Sequence, residues 1–418
     1  MKDTKQSFRR SFRFVCQGEE RKIAEEMLLL QGFSWEQENF FPASCRLLEE
    51  PFPLGSSLAG FFGFIYIQDR ASMLPPVALM PEKGAFVLDM CASPGSKTGQ
   101  LAQIVGEEGF VLGNEVSPQR LATLRRNLQQ MGLFQTASCC FEGQHINLPD
   151  GFCDYIQLDP PCSGWGTIEK NPKVMDMWKE EKTIPLVTLQ KELLKKAERL
   201  LKPNGVLVYS TCTTNIEENE EQLRFAMEEL GLELEKLPEL PEFAMDTPLL
   251  GMNGVWRLSP KIGDTQGFFV ARLRKKNTGT MYFPEEKIWG EPLAQKYVQE
   301  LGISEKYLAY GDIAVFKDSV HFVHNHAKYL PQNFAWQGMY MGKVSKSKEV
   351  QLSPRIRMAG DLPVINFEGK EGIEKIKGLL SGQSFSCENK EKNVLLAWNG
   401  LVLGRLKIKN KRLVWSER

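Results

Sequence analysis

Two of the nine cysteines in the chain stand where a thiol can react. Cys162 lies in Asp159-Pro160-Pro161-Cys162-Ser163-Gly164, and Cys212 in Ser210-Thr211-Cys212-Thr213. A single buried cysteine is usually just a small hydrophobe. These two instead each close an apolar run and are flanked by small polar residues. A thiolate beside a second thiol suits covalent catalysis, in which one hard step becomes two easier ones. The fitting target is carbon 6 of a cytosine. Addition there makes an enamine, and carbon 5 can then attack a sulfonium methyl group. The proton on carbon 5 must next leave so that the thiol can be expelled, which calls for a base. Asp159 stands where it can hydrogen-bond the pyrimidine and stabilise the adduct. Lys97 is a cation that can lower a thiol pKa, although a lysine opening a helix is often only solvated.

A second group of residues suits a nucleoside-bearing ligand. The run Val87-Leu88-Asp89-Met90 leads into Cys91-Ala92-Ser93-Pro94-Gly95-Ser96-Lys97-Thr98. Small residues let a backbone approach a ligand, and the helix that follows offers free N–H groups. Ser96 stands where a phosphate-binding loop requires glycine before its lysine, so this is not a Walker motif, nor is it GxGxxG. Glu115 ends the next strand, where a carboxylate can hold a ribose diol. Glu142 follows the third strand. Spacing leaves it either an acceptor for an adenine amino group or a plain loop acid.

These residues need a scaffold that brings strand ends to one rim. Strand signals at 85–90, 110–115, 136–141, 153–158 and 205–211 alternate with helical patterns at 96–105, 118–131, 186–201 and 216–230. Residues 232–237 and 268–273 suit a closing antiparallel pair. This alternation predicts a mainly parallel, doubly wound α/β sheet with its ligand crevice at the carboxyl ends of the strands. Three stretches separate on pattern: residues 1–81, 82–276 and 281–418. The last is richer in short β-runs, with turn signals at Lys317-Asp318-Ser319 and Asn399-Gly400 and one helix at 371–380, and reads as a small α+β or barrel-like domain.

The chain has 418 residues, enough for two or three domains, with 42% apolar and 25% charged residues and zero formal net charge. Nucleic-acid contact therefore needs local basic clusters. Lys2, Lys5, Arg9, Arg10 and Arg13 form one, readable as a basic arm, a mitochondrial presequence or a frayed terminus. Arg405, Lys407, Lys409, Lys411, Arg412 and Arg418 form another, readable as an RNA contact or a protected edge strand. The cysteine pattern suits neither a secreted framework nor a metal site, which points to reduced thiols in a cytosol. No apolar run is long enough to span a bilayer.

The residues quoted above, with Tyr66-Ile67-Gln68, Ala71-Ser72-Met73-Leu74-Pro75 and the sequence Asn215, Glu217, Glu218, Asn219, resemble the Sun-type RNA cytosine-5 methyltransferases. Bacterial members of that family include the ribosomal RNA enzymes RsmB and RsmF. Four ordered motifs over residues 66–273 carry the likeness. It implies a Rossmann-like class I methyltransferase core with a mainly parallel seven-stranded sheet, and S-adenosylmethionine as methyl donor with no metal. Cys212 matches the nucleophile and Cys162 the release cysteine. Asp159 lines the reaction centre, and Lys97 matches a lysine important there. Cys91, Ala92, Ser93, Pro94, Gly95, Ser96 and Lys97 match the loop at the methionine part of the cofactor. Glu115 matches the ribose contact and Glu142 the adenine contact. Ser93 and Pro160 replace the usual Ala, Glu142 the usual Asp, and the amino-terminal stretch lacks the family's Arg-Val-Asn-Thr. The tail resembles the PUA-like extension of the RsmF type, which tilts the expectation toward ribosomal over transfer RNA. A cytoplasmic monomer acting on RNA is expected.

Two other classes compete. Asp159-Pro160-Pro161 also resembles the signature of amino-group methyltransferases, but Cys162 occupies the aromatic position and Cys212 would have no role. A ribosome-assembly factor that merely binds nucleosides would not need Cys162, Cys212, Asp159 and Lys97 together.

Overall fold

A computed structural model describes residues 9–168, 180–260, 265–283, 285–389 and 391–417. Lys2, Lys5 and Arg418 of the two basic clusters lie outside them.

The amino-terminal strands β1 (Ser11–Phe14), β2 (Ser34–Gln37), β3 (Ser44–Glu49) and β4 (Ile65–Ile67) form an antiparallel sheet in the order β2-β3-β1-β4. The helix Gly18–Leu30 buries Ala24, Met27 and Leu28 in the same core as Phe12 and Phe14. Arg13 alternates with those two phenylalanines and so points to the opposite face. It is fully buried and donates to Gln68 at 3.0 Å, to Gln103 and, at 3.4 Å, to the Ser96 carbonyl. This overturns the reading of Arg13 as part of an arm. It bonds the amino-terminal sheet to the helix Ser96–Val105.

The central sheet contains the parallel strands β5 (Phe86–Asp89), β6 (Phe110–Asn114), β7 (Thr136–Cys139), β8 (Cys153–Leu158) and β9 (Leu201–Thr211). After them come β10 (Glu233–Glu235), β11 (Trp256–Leu258) and β12 (Phe268–Arg274). β12 runs antiparallel beside β9 and pairs with both β10 and β11. The order β10-β12-β9-β8-β5-β6-β7 gives the expected seven-stranded doubly wound core. Strand β11 was not foreseen.

Alternate residues of each strand feed two cores. Val87, Val111 and Val208 meet the helices Ser96–Val105 and Pro118–Met131. Leu88, Leu112 and Leu207 meet the helices Glu180–Leu200 and Glu220–Glu228. A strand buried on both faces is apolar throughout, which is why these runs lack polar alternation. The winding direction reverses between β5 and β8. The carboxyl ends of those strands therefore splay apart and leave a crevice.

The tail strands β13 (Glu291–Pro292), β14 (Gly311–Phe316), β15 (Ser319–His324), β16 (Trp336–Val344) and β17 (Val350–Leu352) are antiparallel. They continue the central sheet, because Trp336, Gln337 and Gly338 pair with Cys139, Ser138 and Ala137. The last strands are β18 (Val364–Phe367), β19 (Phe385–Ser386), β20 (Asn393–Trp398), β21 (Leu401–Lys409) and β22 (Arg412–Val414), which carry the helix Gly369–Leu380. The expected hairpin turns at Asn399 and Gly400, both at positive φ. Ile376, Trp398 and Leu403 share one core with Phe12 and Met27, so the two ends of the chain pack together. Arg405 is buried and donates to the carbonyls of Leu301, Gly302, Ile356 and Met358. That overturns its placement in a nucleic-acid contact, whereas Lys409, Lys411 and Arg412 are exposed. No described helix is long and apolar enough to cross a membrane.

Candidate active site

The two thiols meet because β8 and β9 are parallel neighbours. Leu158 pairs with Tyr209, so the chain leaves both strands over one rim. There the Cys162 and Cys212 sulfurs lie 3.2 Å apart, both half-buried. The sulfur–sulfur hydrogen bond pulls the Cys212 pKa below its ordinary value, against burial and the charge of Asp159 and with help from Lys97. The same bond, with burial and the charges of Cys212 and Asp159, pushes Cys162 well above the ordinary value. Cys212 is therefore the more readily ionised of the two thiols, with Cys162 as the donor that favours its thiolate.

Lys97 and Asp159 form the charged floor. Lys97 Nζ donates to Asp159 Oδ2 at 2.6 Å, and Ser210 Oγ donates to Oδ1 at 2.9 Å. Both carboxylate oxygens are thus oriented. Burial pulls the Lys97 pKa down, but attraction and hydrogen bonding to Asp159, with smaller attractions to Asp89 and Cys212, outweigh it and leave the lysine above its ordinary value. The Lys97 ammonium also lies over the Phe268 ring, 5.6 Å from its centre.

The loop before the helix Ser96–Val105 is latched on both sides. Ala92 donates its N–H to Asn114, and Gly95 donates to Ala92. Ser93 Oγ donates to the Arg120 carbonyl and Arg120 returns a bond to the Ser93 carbonyl, each 3.0 Å, while Asn127 donates to the Pro94 carbonyl at 2.7 Å. The Ser93–Pro94 peptide is cis, and Gly95 has φ of +103°, a conformation glycine adopts freely. Cys91 is half-buried beside this turn.

Asp89, at the end of β5, received no role from spacing. It is buried, accepts from Thr98 at 2.7 Å through Oδ2, and leaves Oδ1 without a hydrogen-bond partner among the described residues. Its signal was available, because it ends a strand at the same rim as Glu115. Glu115 is buried, accepts the Ser117 N–H at 2.9 Å and lies 3.5 Å from Arg120. Glu142 stands apart on the surface and pairs with His145 at 2.9 Å.

Main-chain straps hold the two cysteine loops. Gly166 N–H donates to the Cys212 carbonyl and Gly267 N–H to the Gly166 carbonyl. A Cβ at Gly166 would lie 2.2 Å from the Gly267 oxygen and 2.8 Å from the Cys212 oxygen, so only glycine fits. Asn219 clamps the Cys212 turn, accepting from Thr211 and donating to the Thr213 carbonyl at 3.0 Å.

Residues 76–274 match the family model described as 16S rRNA methyltransferase RsmB/F. A curated relative, ribosomal RNA small subunit methyltransferase F of Salmonella heidelberg strain SL476, is 41% identical over 267 residues, 61% of this chain and 55% of its own length. The chain thus spans about half the length of the curated relatives it matches. Among solved structures, a methyltransferase homolog protein from Pyrococcus horikoshii is 34% identical with a TM-score of 0.56, over 64% of this chain and 87% of that one. NSun6 from Pyrococcus horikoshii, solved with SFG, shares the fold at a TM-score of 0.56 and 22% identity, over 64% of this chain and 91% of that one.

Proposed function

Because the chain belongs to the RsmB/F, or Sun-type, methyltransferase family, we propose that it transfers a methyl group from S-adenosylmethionine to carbon 5 of a cytosine in small-subunit ribosomal RNA. In this reading Cys212 forms the covalent adduct and Cys162 serves its release. The observation that carries the reading is the 3.2 Å sulfur pair, polarised toward a Cys212 thiolate beside the Lys97–Asp159 ion pair.

The residues around the rim fit the methyl donor. The unpartnered, buried Asp89 Oδ1 suits a cationic amino or sulfonium ligand. Gly95 and Gly113 keep the backbone surface open, since a Cβ on Gly113 would lie 3.0 Å from that of Ala92. Glu115, at the end of the neighbouring strand, suits a ribose diol, while residues 91–97 would lie along the methionine portion. Glu142 is assigned the adenine end. When bound, S-adenosylmethionine supplies an electrophilic methyl group.

The protein's own part is nucleophilic and electrostatic. Cys212 thiolate adds to carbon 6, and the electron pair of the 5,6 double bond is pushed toward carbon 5. Asp159, fixed by Lys97 and Ser210, accepts a hydrogen bond from the pyrimidine and steadies the adduct. After methylation the carbon 5 proton passes to water, its bonding pair restores the 5,6 double bond, and Cys212 leaves as a thiolate. The Cys162 thiol receives that thiolate in the hydrogen bond already described. RNA is the proposed partner, gripped in part by Lys409, Lys411 and Arg412, and flipping the base into the site favours a loop or assembly intermediate over an intact helix.

Small ribosomal subunits from cells lacking the gene, incubated with methyl-labelled S-adenosylmethionine, test this. Wild type should label 5-methylcytosine, Cys212→Ala should label nothing, and Cys162→Ala should trap a denaturation-resistant protein–RNA complex. Full activity of Cys212→Ala would refute the covalent route, label on an exocyclic amine would establish the amino-group reading, and label only in transfer RNA would move the substrate.

A further inference from the structure

Beneath the two cysteine loops lies a carboxylate that the proposed chemistry does not use. Glu218 is fully buried. Its Oε1 accepts from Ser163 Oγ at 2.5 Å and from Asn215 Nδ2 at 3.2 Å. Its Oε2 accepts from the Ser163 N–H at 2.9 Å and from Gln190 Nε2 at 3.0 Å. Gln190 reaches in from the helix Glu180–Leu200 and also donates to the Pro161 carbonyl at 2.9 Å. Glu218 thus holds the residue after Cys162 directly and the residue before it through Gln190, while sitting in the segment that follows Cys212.

Counting protons gives the network a direction. A hydroxyl has one proton to donate. Ser163 gives its own to Glu218, so the 2.7 Å contact between Ser163 and Thr213 must be a donation from Thr213. Thr213 in turn accepts the Asn215 N–H at 3.2 Å. The residue after Cys162 and the residue after Cys212 are therefore joined by a hydrogen bond whose orientation depends on an acceptor-only group at position 218. Four donors converge on that group, and a neutral amide there would turn an NH₂ toward two of them. Buried networks of this kind rigidify what they hold only when every member is satisfied.

We propose that Glu218 is the positioning residue that sets the approach of Cys162 to Cys212, so that it governs release of the methylated base more than formation of the adduct. The proposal rests on the covalent reading above. The Cys162 bond favours the Cys212 thiolate, but Lys97 favours it too and only Cys212 reaches the ring in adduct formation, whereas release needs the Cys162 thiol within hydrogen-bond reach of the departing sulfur. A shift of about 1 Å in such a pair costs on the order of 100-fold in rate.

The test compares wild type, Cys162→Ala, Glu218→Gln and Ser163→Ala on small ribosomal subunits from cells lacking the gene. Turnover, denaturation-resistant complex, melting temperature and affinity for S-adenosylhomocysteine are read for each. Glu218→Gln and Ser163→Ala should turn over roughly 10- to 100-fold more slowly, accumulate the complex as Cys162→Ala does, and keep cofactor affinity. Wild-type turnover, or slow turnover without complex that follows the loss in melting temperature, would overturn the proposal. Ser163→Ala removes only a hydroxyl and decides the matter alone if Glu218→Gln does not fold. Should Cys162→Ala itself trap nothing, the covalent reading fails; should it trap complex while the other two do not, only the role of Glu218 fails.

Discussion

Replacing Lys97 with methionine keeps an unbranched apolar stem but deletes the cation 2.6 Å from Asp159. Asp159 retains its bond from Ser210 and, with 26% of its side chain exposed, its access to water. Its negative charge therefore stays beside Cys212 without the cation that offsets it. A nearby charge shifts a pKa by about 1–3 units, and Lys97, whose effect on Cys212 is smaller than those of the Cys162 bond, burial and Asp159, falls at the lower end. The sign is upward, because the Lys97 cation favours the Cys212 thiolate and the Asp159 charge opposes it. Each unit lowers the thiolate fraction by up to about tenfold, and raising the pH restores it. Peptide-resolved mass spectrometry of iodoacetamide alkylation, run as a function of pH, follows Cys212 separately from the other eight of the nine cysteines. The Cys212 midpoint should move up by about one unit in Lys97→Met, and the pH profile of kcat/KM for methyl transfer should move with it. An unchanged or lowered midpoint in folded protein would refute the assignment of Lys97 as a group that favours the thiolate.

Burial pushes the Asp89 carboxyl up to about 6, against its bond from Thr98 and its attraction to Lys97. A cation at its free oxygen would favour the carboxylate, so S-adenosylmethionine should bind more weakly as pH falls through that value, and Asp89→Asn should flatten the dependence in a calorimetric titration. Gly166→Ala forces a Cβ onto two carbonyl oxygens. It should cost about 1–3 kcal/mol in chemical denaturation and slow turnover on the order of 100-fold by displacing the Cys212 turn. Lys409→Ala should flatten the salt dependence of RNA binding by about one phosphate contact. Arg405→Ala should instead lower the melting temperature and leave that dependence unchanged, because its partners are four main-chain carbonyls.

The doubly wound core and the meeting of the two cysteines were legible because local signals carry them. Apolar runs of strand length ending in small residues mark β5, β8 and β9, and a parallel pairing of β8 with β9 is enough to bring Cys162 near Cys212. Asp159, Lys97 and Glu115 were found by the same logic of strand ends and helix starts. Asp89 carried that signal too, as a carboxylate at the end of β5.

What the sequence alone determined was therefore the chemistry available and the rim on which it gathers. Periodicity and residue type act over a few neighbours, and these features are local. The tertiary structure decided the rest. Arg13 and Arg405 are basic by composition yet buried by alternation within β1 and β21, so neither serves as a surface cation. Trp336–Gly338 lengthen the central sheet only because β7 offers an open edge far away in the chain. Glu218 becomes the anchor of both cysteine loops through Ser163 and Gln190, which reach it from other elements. Which sulfur holds the proton likewise depends on a 3.2 Å contact and on where Lys97 and Asp159 fall around it. Hydrogen-bond direction and electrostatic balance are properties of assembled neighbours, and no spacing along the chain encodes them.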